Sequence, residues 1–166
     1  TRQGLELSWQ QTIWKELNIQ SSFSYIDAEF DSYTAEIVNP NNPTTPYAKA
    51  IDKGNKIPGI AKNQAFTRIA WQPEQGFQAG LEARYMDKIY VDDINSDTAP
   101  SYTVVAANVG YLWVNRDWKV NSYARVDNLF DRNYVGSVIV NDSNSRFFEP
   151  ADGRNFSVGM SVTKAF

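Results

Sequence analysis

The side chains that could do chemistry in this sequence are carboxylates, cations and aromatic rings, because its 166 residues include no Cys and no His. A thiolate metal site is therefore excluded within the chain, as is a Ser or Cys nucleophile with a His base. Two carboxylates could still act as a glycosidase pair, but no particular pair is marked by its position. The sequence predicts a protein that is not an enzyme and that needs no cofactor or metal ion.

The acidic stretch DDINSD, Asp92–Asp97, offers carboxylate oxygens that could hold a divalent cation. It lacks the Gly and the terminal Glu of an EF-hand loop, so a cation site is the less favoured interpretation. The net charge of −3 and the absence of a Lys/Arg stripe argue against a nucleic-acid partner.

The elements that must position these side chains are strands, because apolar and polar residues alternate with a period of two. In the last segment the even positions carry the large residues Phe156, Val158, Met160 and Val162. No helical period of useful length appears. Seven segments with this alternation are predicted as strands: Gly4–Ile13, Leu17–Phe30, Ala65–Trp71, Phe77–Ile89, Thr103–Trp113, Trp118–Asn128 and Asn155–Phe166.

The connections between these strands alternate in length. Three are tight, at Trp14–Leu17, Gln72–Gly76 and Val114–Asp117. Three are long and rich in Asn, Asp, Ser and Pro, at Asp31–Ile60, Val91–Pro100 and Leu129–Arg154, and are predicted to have irregular backbone. Short turns at one end and long loops at the other are the plan of an antiparallel, up-and-down transmembrane β-barrel.

The aromatic residues strengthen this prediction because they gather near the two ends of the strands, as they do at the two interfaces of a membrane. Near the short turns lie Trp14, Trp71, Phe77, Trp113, Trp118 and Phe166. Near the long loops lie Tyr25, Phe30, Tyr85, Tyr90, Tyr102, Phe130 and Tyr134.

The stretch NLFDRNY, followed by FFEPADGRN and a final strand ending in Phe, resembles the C-terminus of TonB-dependent outer-membrane receptors. The residues that carry this signature are Asn128, Leu129, Phe130, Asp131, Tyr134 and Phe166. The upstream segments IPGIAKNQAFTRIAWQP and YVDDINSDTAPSYTVVAANVGY also look like segments of these receptors. Lys164 departs from the family pattern, which usually has an aromatic residue at that position.

The resemblance implies that residues 1–166 are the C-terminal part of a 22-stranded barrel in the outer membrane of a Gram-negative bacterium. About seven strands lie in this chain, and the plug domain and the N-terminal strands lie outside it. The expected function is active import of a scarce, large ligand, which could be a ferric siderophore, haem, cobalamin or a quinone cofactor. The expected partners are outer-membrane lipid, the TonB complex acting through the plug, the ligand, and the barrel-assembly machinery at the C-terminal strand.

Two sets of residues are candidates for this function. One set is expected to face the lumen and to contact the plug or the substrate path: Glu6, Arg68, Glu82, Arg84, Arg125 and Asp127. The other set lies in the long loops and is expected to bind ligand through stacking and charge: Tyr33, Tyr47, Tyr90, Tyr134, Arg146, Phe147 and Phe148. The favoured structural interpretations are an ion-pair network on a polar wall for the first set and loop or interface packing for the second.

Two alternatives to part of a large barrel remain open. The chain could form a small self-contained outer-membrane barrel, or a soluble, lipocalin-like ligand-binding barrel with its apolar face inward. The aromatic belts and the unequal loops favour the membrane.

Overall fold

The computed structural model of the protein describes residues 1–39 and 42–165. Across these ranges it contains thirteen strands and no helix that could cross a membrane. In chain order the strands are β1 (Arg2–Trp14), β2 (Leu17–Ala28), β3 (Tyr33–Asn39), β4 (Asn42–Ile51), β5 (Asn63–Trp71), β6 (Gly76–Met86), β7 (Ile89–Tyr90), β8 (Thr98–Ala99), β9 (Tyr102–Asn115), β10 (Trp118–Asp127), β11 (Val135–Val138), β12 (Phe148–Pro150) and β13 (Asn155–Lys164).

Seven of these strands form one antiparallel sheet in the order β1-β2-β5-β6-β9-β10-β13. Each long strand therefore pairs with the next long strand along the chain, which is an up-and-down arrangement. All seven predicted strands are confirmed, with ends that differ by a few residues. The predicted strand Phe77–Ile89 ends early, at Met86, where the Asp87 carboxylate accepts the backbone N–H of Lys88 at 2.8 Å and the chain turns into β7.

The sheet is open at both edges. Within the described residues, β1 pairs with β2 alone and β13 pairs with β10 alone. A self-contained barrel would have to pair its first and last strands, because a bilayer does not tolerate unpaired backbone groups. The sheet does not have the closure that the small-barrel alternative requires.

The two faces of the sheet differ in polarity, and the strand register shows which residues lie side by side on each face. One row across the sheet consists of Ile19, Ile69, Leu81, Ala107, Val126 and Phe156. The large side chains of this face stay exposed, with Leu81 at 47% and Val158 at 82% of their maximal accessible surface. An exposed apolar face of this extent needs an apolar solvent or partner.

The long loops are not irregular throughout, so that prediction is wrong in part. Each of them contains a short antiparallel hairpin: β3 with β4, β7 with β8, and β11 with β12. In the last hairpin the polar residues occupy the tip, where Asn141 and Ser145 have positive φ values of 55° and 57°. The loops also contact one another, since the Gly59 N–H donates to the Tyr90 carbonyl at 2.9 Å and the Asn141 N–H donates to the Val91 carbonyl at 3.0 Å.

Candidate functional site

The polar face of the sheet carries a chain of alternating charges. The Glu82 carboxylate lies 3.5 Å from Arg68 Nε and 2.9 Å from Arg125 Nη2, and Arg125 Nη2 lies 2.8 Å from Asp127 Oδ1. Each partner keeps part of its side chain in contact with solvent, so each pair stabilises the fold by about 1 kcal/mol or less. Four of the six predicted lumen-facing residues thus form a network along one wall, and a role in contacting a plug or cargo stays a prediction.

The other two predicted lumen-facing residues lie farther along the same face. Glu6 and Arg84 line a shallow hollow of about 540 Å³ whose neighbouring lining includes Ser8, Ser22 and Ser24. Glu6 therefore lies apart from the charge chain, three strands away from Glu82, with β2 and β5 between them.

A second hollow, the loop cleft, lies among the three long loops and has a volume of about 470 Å³. Of the seven predicted loop residues, Tyr33 and Phe147 meet in it. Its described lining also includes the four carboxylates of Glu36, Asp92, Asp93 and Asp142, and no Lys or Arg. Two aromatic rings in an acidic surrounding favour neutral or positively charged ligands over polyanionic ones.

Two of the remaining loop tyrosines pack locally instead of lining the loop cleft. The Tyr134 ring lies 4.3 Å from the ring of Tyr102, which pairs with Met86 and so lies on the polar side of the sheet. The prediction that both tyrosines belong to the outer aromatic belt is therefore wrong, because the period of two turns Tyr102 away from the apolar face. Tyr90 lies beneath Lys88 Nζ, which is 5.2 Å from the ring centroid.

The last three predicted loop residues also lie outside the loop cleft. Tyr47 is exposed on the hairpin of β3 and β4. Phe148 contacts Phe147 edge to face, with 6.3 Å between ring centroids. Arg146 is exposed, and its backbone N–H donates to Asp142 Oδ2 at 2.9 Å. The structure therefore does not gather the seven loop residues into one site.

The stretch DDINSD uses its carboxylates to close its own turn. Asp92 accepts hydrogen bonds from the backbone N–H of Ser96, at 2.8 Å, and from its hydroxyl, while Asp97 accepts the N–H of Thr98 at 2.7 Å. Asp residues commonly hold turns in this way. In the part of the chain that the structure describes, no group of three or more acidic side chains is arranged to hold a metal ion.

Three asparagines join the long loops to each other, and sequence reasoning missed them. Asn95 Oδ1 accepts the N–H of Lys56 at 2.7 Å, and its Nδ2 donates to the Lys56 carbonyl at 2.8 Å. Asn55 Nδ2 donates to the Asp93 carbonyl, and Asn141 Oδ1 accepts the Asp93 N–H, each at 3.1 Å. The positive φ of Asn95, 54°, suits Asn, but the sequence does not distinguish it from the other loop asparagines.

The family match covers most of the chain. A family described as "TonB dependent receptor-like, beta-barrel" matches residues 1–129. The chain belongs to the TonB-dependent receptors. Members of this family are receptors and transporters of the Gram-negative outer membrane and not enzymes, which confirms those expectations and places the chain in that membrane.

Two curated relatives of this TonB-dependent receptor chain have descriptions that name siderophores or their transport. The probable TonB-dependent siderophore receptor PiuA of Acinetobacter baumannii is 26% identical over 156 residues, which cover 92% of this chain and 19% of the relative. The ferrichrome outer membrane transporter/phage receptor of Escherichia coli (strain K12) is 31% identical over 139 residues, which cover 81% of this chain and 16% of the relative. The chain thus spans less than a fifth of the length of either relative.

Solved structures support the same family. The siderophore receptor PiuA from Acinetobacter baumannii superposes with a TM-score of 0.81 and 25% identity, over 99% of this chain and 22% of that one. The ferric yersiniabactin uptake receptor FyuA from Yersinia pestis superposes with a TM-score of 0.65 over 99% of this chain and 23% of that one. At 18% identity the second likeness shows the fold alone.

The signature of the TonB-dependent receptors builds a turn in this chain. Asn128 is 6% exposed and has a φ of 51°, and its side chain bonds both the N–H and the carbonyl of Arg132, at 2.9 and 2.8 Å. Asp131 Oδ1 accepts the N–H of Arg154 at 2.9 Å. These contacts end β10 and fix the direction of the last loop, while Phe130 stays 74% exposed. Phe166, the remaining signature position, lies outside the described residues.

In other outer-membrane barrels the apolar face of the wall contacts lipid and the polar face lines the interior. That the exposed apolar row faces lipid and the charge chain faces the lumen in this chain stays a prediction. Outside the strands, Lys56 Nζ lies 2.8 Å from Asp27 Oδ1 and also contacts the Glu29 carboxylate. Its hydrogen bonds to Asp27 and then to Glu29 hold the pKa of Lys56 above its ordinary range.

Proposed function

We propose that the protein is an importer of ferric siderophores and that residues 1–166 form the C-terminal part of its barrel, with wall strands and extracellular loops. The observation that carries this proposal is the loop cleft, which opens among the long loops of a TonB-dependent receptor fold. The two curated relatives described above, one named a siderophore receptor and one a ferrichrome transporter, support the choice of cargo.

The lining of the loop cleft narrows the charge of the cargo. A negative charge on the cargo about 4 Å from a carboxylate would cost roughly 1 kcal/mol in bulk water and about 4 kcal/mol near a protein surface. The four carboxylates of the loop cleft therefore disfavour polyanionic ferric complexes. They also disfavour haem and those quinone cofactors that carry carboxylates. Tyr33 and Phe147, in contrast, offer ring faces to a neutral or cationic complex. No described loop contact favours haem, cobalamin or a quinone cofactor.

The energy for import would come from the TonB complex, acting on a plug domain that lies outside this chain. The charge chain of Arg68, Glu82, Arg125 and Asp127 lines the wall against which such a plug would move. The barrel-assembly machinery would engage the C-terminal strand, β13, and the apolar face would contact outer-membrane lipid.

Uptake of radioactive iron by whole cells tests this function. Cells would express the full-length receptor as their sole importer and would be given the ferric complexes of ferrichrome, ferrioxamine B and a tris-catecholate, which are neutral, cationic and polyanionic. We expect uptake of one of the first two, and none after deletion of TonB. Uptake of none of the three, or uptake without TonB, would contradict the proposal.

Matched loop variants test the place of binding. Phe147→Ala and Tyr33→Ala each remove a ring from the loop cleft, and we expect each to weaken binding of the transported complex about tenfold. Tyr47→Ala removes a ring of the same kind outside the cleft and is expected to change binding less than about twofold. Equal effects of Tyr33→Ala and Tyr47→Ala would show that cargo binds elsewhere on the loops.

A further inference from the structure

A second cleft, which we call the rim cleft, lies at the loop ends of β2, β5 and β6 and has a volume of about 220 Å³. It shares no lining residue with the loop cleft. Asp27 follows Tyr25 by two residues in β2 and so continues the lipid-facing side of that strand. Asp87, the first residue after β6, donates its backbone N–H to the carbonyl of Asn63, which pairs with Tyr25. The alternation of β6 places the Asp87 side chain on the same side of the sheet as Tyr85. The rim cleft therefore lies at the outer margin of the membrane-facing surface.

The carboxylates of the rim cleft already have donors. Asp27 accepts from Lys56 at 2.8 Å. Asp87 accepts from Asn63 Nδ2 and from the backbone N–H of Lys88, both at 2.8 Å. The hydrogen bonds that these two carboxylates accept thus come from Lys56, Asn63 and a backbone N–H, and Lys62 reaches Asp27 only at the longer distance of an ion pair.

Two lysines in the rim cleft hold their ammonium groups over tyrosine rings. Lys62 Nζ lies 5.4 Å from the centroid of Tyr25, and Lys88 Nζ lies 5.2 Å from that of Tyr90. Lys62 Nζ is also 3.8 Å from Asp27 Oδ1, which is longer than a hydrogen bond. An ammonium carries three N–H donors, and a ring face attracts the charge without accepting all three.

The acceptors at a membrane interface include the phosphates of lipid head groups. Lysines at a membrane boundary extend toward head groups, and basic pockets on membrane proteins bind lipid phosphates. The rim cleft also presents Ile57 and Ile60, which suit the first carbons of an acyl chain. We propose that Lys62 and Lys88 bind the phosphate of an outer-leaflet lipid in the rim cleft, with the isoleucines contacting the adjoining chain.

Native mass spectrometry of the full-length receptor in detergent tests this site. The probes are phosphatidic acid and diacylglycerol with the same acyl chains, which differ in the phosphate alone. We expect the receptor to retain phosphatidic acid and not diacylglycerol at matched concentrations. The double variant Lys62→Gln/Lys88→Gln removes two charged donors, and we expect its affinity for phosphatidic acid to fall at least tenfold.

Two further variants separate charge from folding. Lys62→Arg/Lys88→Arg keeps both charges and should keep the binding. Lys53→Gln removes an exposed loop lysine that pairs with Asp31 at 2.5 Å, and should leave lipid binding unchanged. Equal retention of both lipids, or equal binding by the double Gln variant and the Lys53→Gln control, would overturn the proposal. Displacement of phosphatidic acid by an equal concentration of inorganic phosphate would show a free-phosphate site and would also overturn it.

Discussion

Replacing Leu81 with Arg should destabilise the barrel, because this side chain lies near the middle of the membrane-facing surface. Phe77 and Tyr85 flank it on the same face of β6, four residues to either side. Four residues span about 13 Å along a strand, and a tilt near 45° reduces this to about 9 Å of depth. Leu81 therefore lies near the bilayer midplane, where an Arg costs about 2–4 kcal/mol. The expected shift in the folding equilibrium is roughly 30- to 900-fold.

Urea-dependent folding of the full-length receptor into lipid vesicles measures this shift as a change in the unfolding midpoint. The control is Gln78→Arg in the same strand, whose side chain lies on the polar face and which should change the free energy of unfolding by less than about 0.5 kcal/mol. Val109→Arg, on the same face of the neighbouring strand β9, should behave like Leu81→Arg. Equal costs on the two faces would refute the assignment of lipid and lumen.

Three other perturbations test the loops and their turns. Asn95→Ala removes the hydrogen bonds to the Lys56 backbone and forces Ala into a left-handed conformation. Amide hydrogen exchange of residues 50–60 and 87–101 should therefore accelerate. Asn144→Ala, at the tip of the last hairpin, is the control and should not change the exchange rates. Asn128→Ala should cost on the order of 2 kcal/mol and expose residues 129–154 to protease, and Asn128→Gly should recover the backbone part of that cost. Because the pKa of Lys56 is raised above its ordinary 10.5, its contribution is complete at neutral pH and is lost only as pH rises through that higher value. Protease resistance of the loops should therefore stay constant from pH 7 to 9.5, and a loss near pH 8 would contradict this reasoning.

The strands could be predicted from the sequence because the two faces of a barrel wall meet different solvents. Large apolar residues alternate with polar or small residues around Val158 and around Leu81. The seven strands, and which residues share a face, could therefore be predicted from a period of two. Two of the three loop hairpins could not be predicted in the same way. β7 and β8 have two residues each, and β11 and β12 have four and three, which are too few for a period to show.

The charge chain could be predicted in part. Alternation places Glu82 and Arg125 on one face, but their contact depends on the register between β6, β9 and β10, which the sequence does not state. The loop cleft depends on contacts farther apart. Asp92 and Asp142 line one hollow because Asn55, Asn95 and Asn141 bond backbone groups in other loops, and no local pattern marks those bonds.

The asparagine bonds between the loops have a consequence for how this receptor can change. In a barrel whose loops are independent, one loop can be exchanged or lengthened without altering its neighbours. Here each transplanted loop would carry half of a hydrogen-bonded pair, such as Asn95 without the Lys56 backbone. Recognition of a new cargo, or escape from an agent that binds these loops, should therefore arise through coordinated changes in several loops, and a functional chimera would have to exchange all three as one unit.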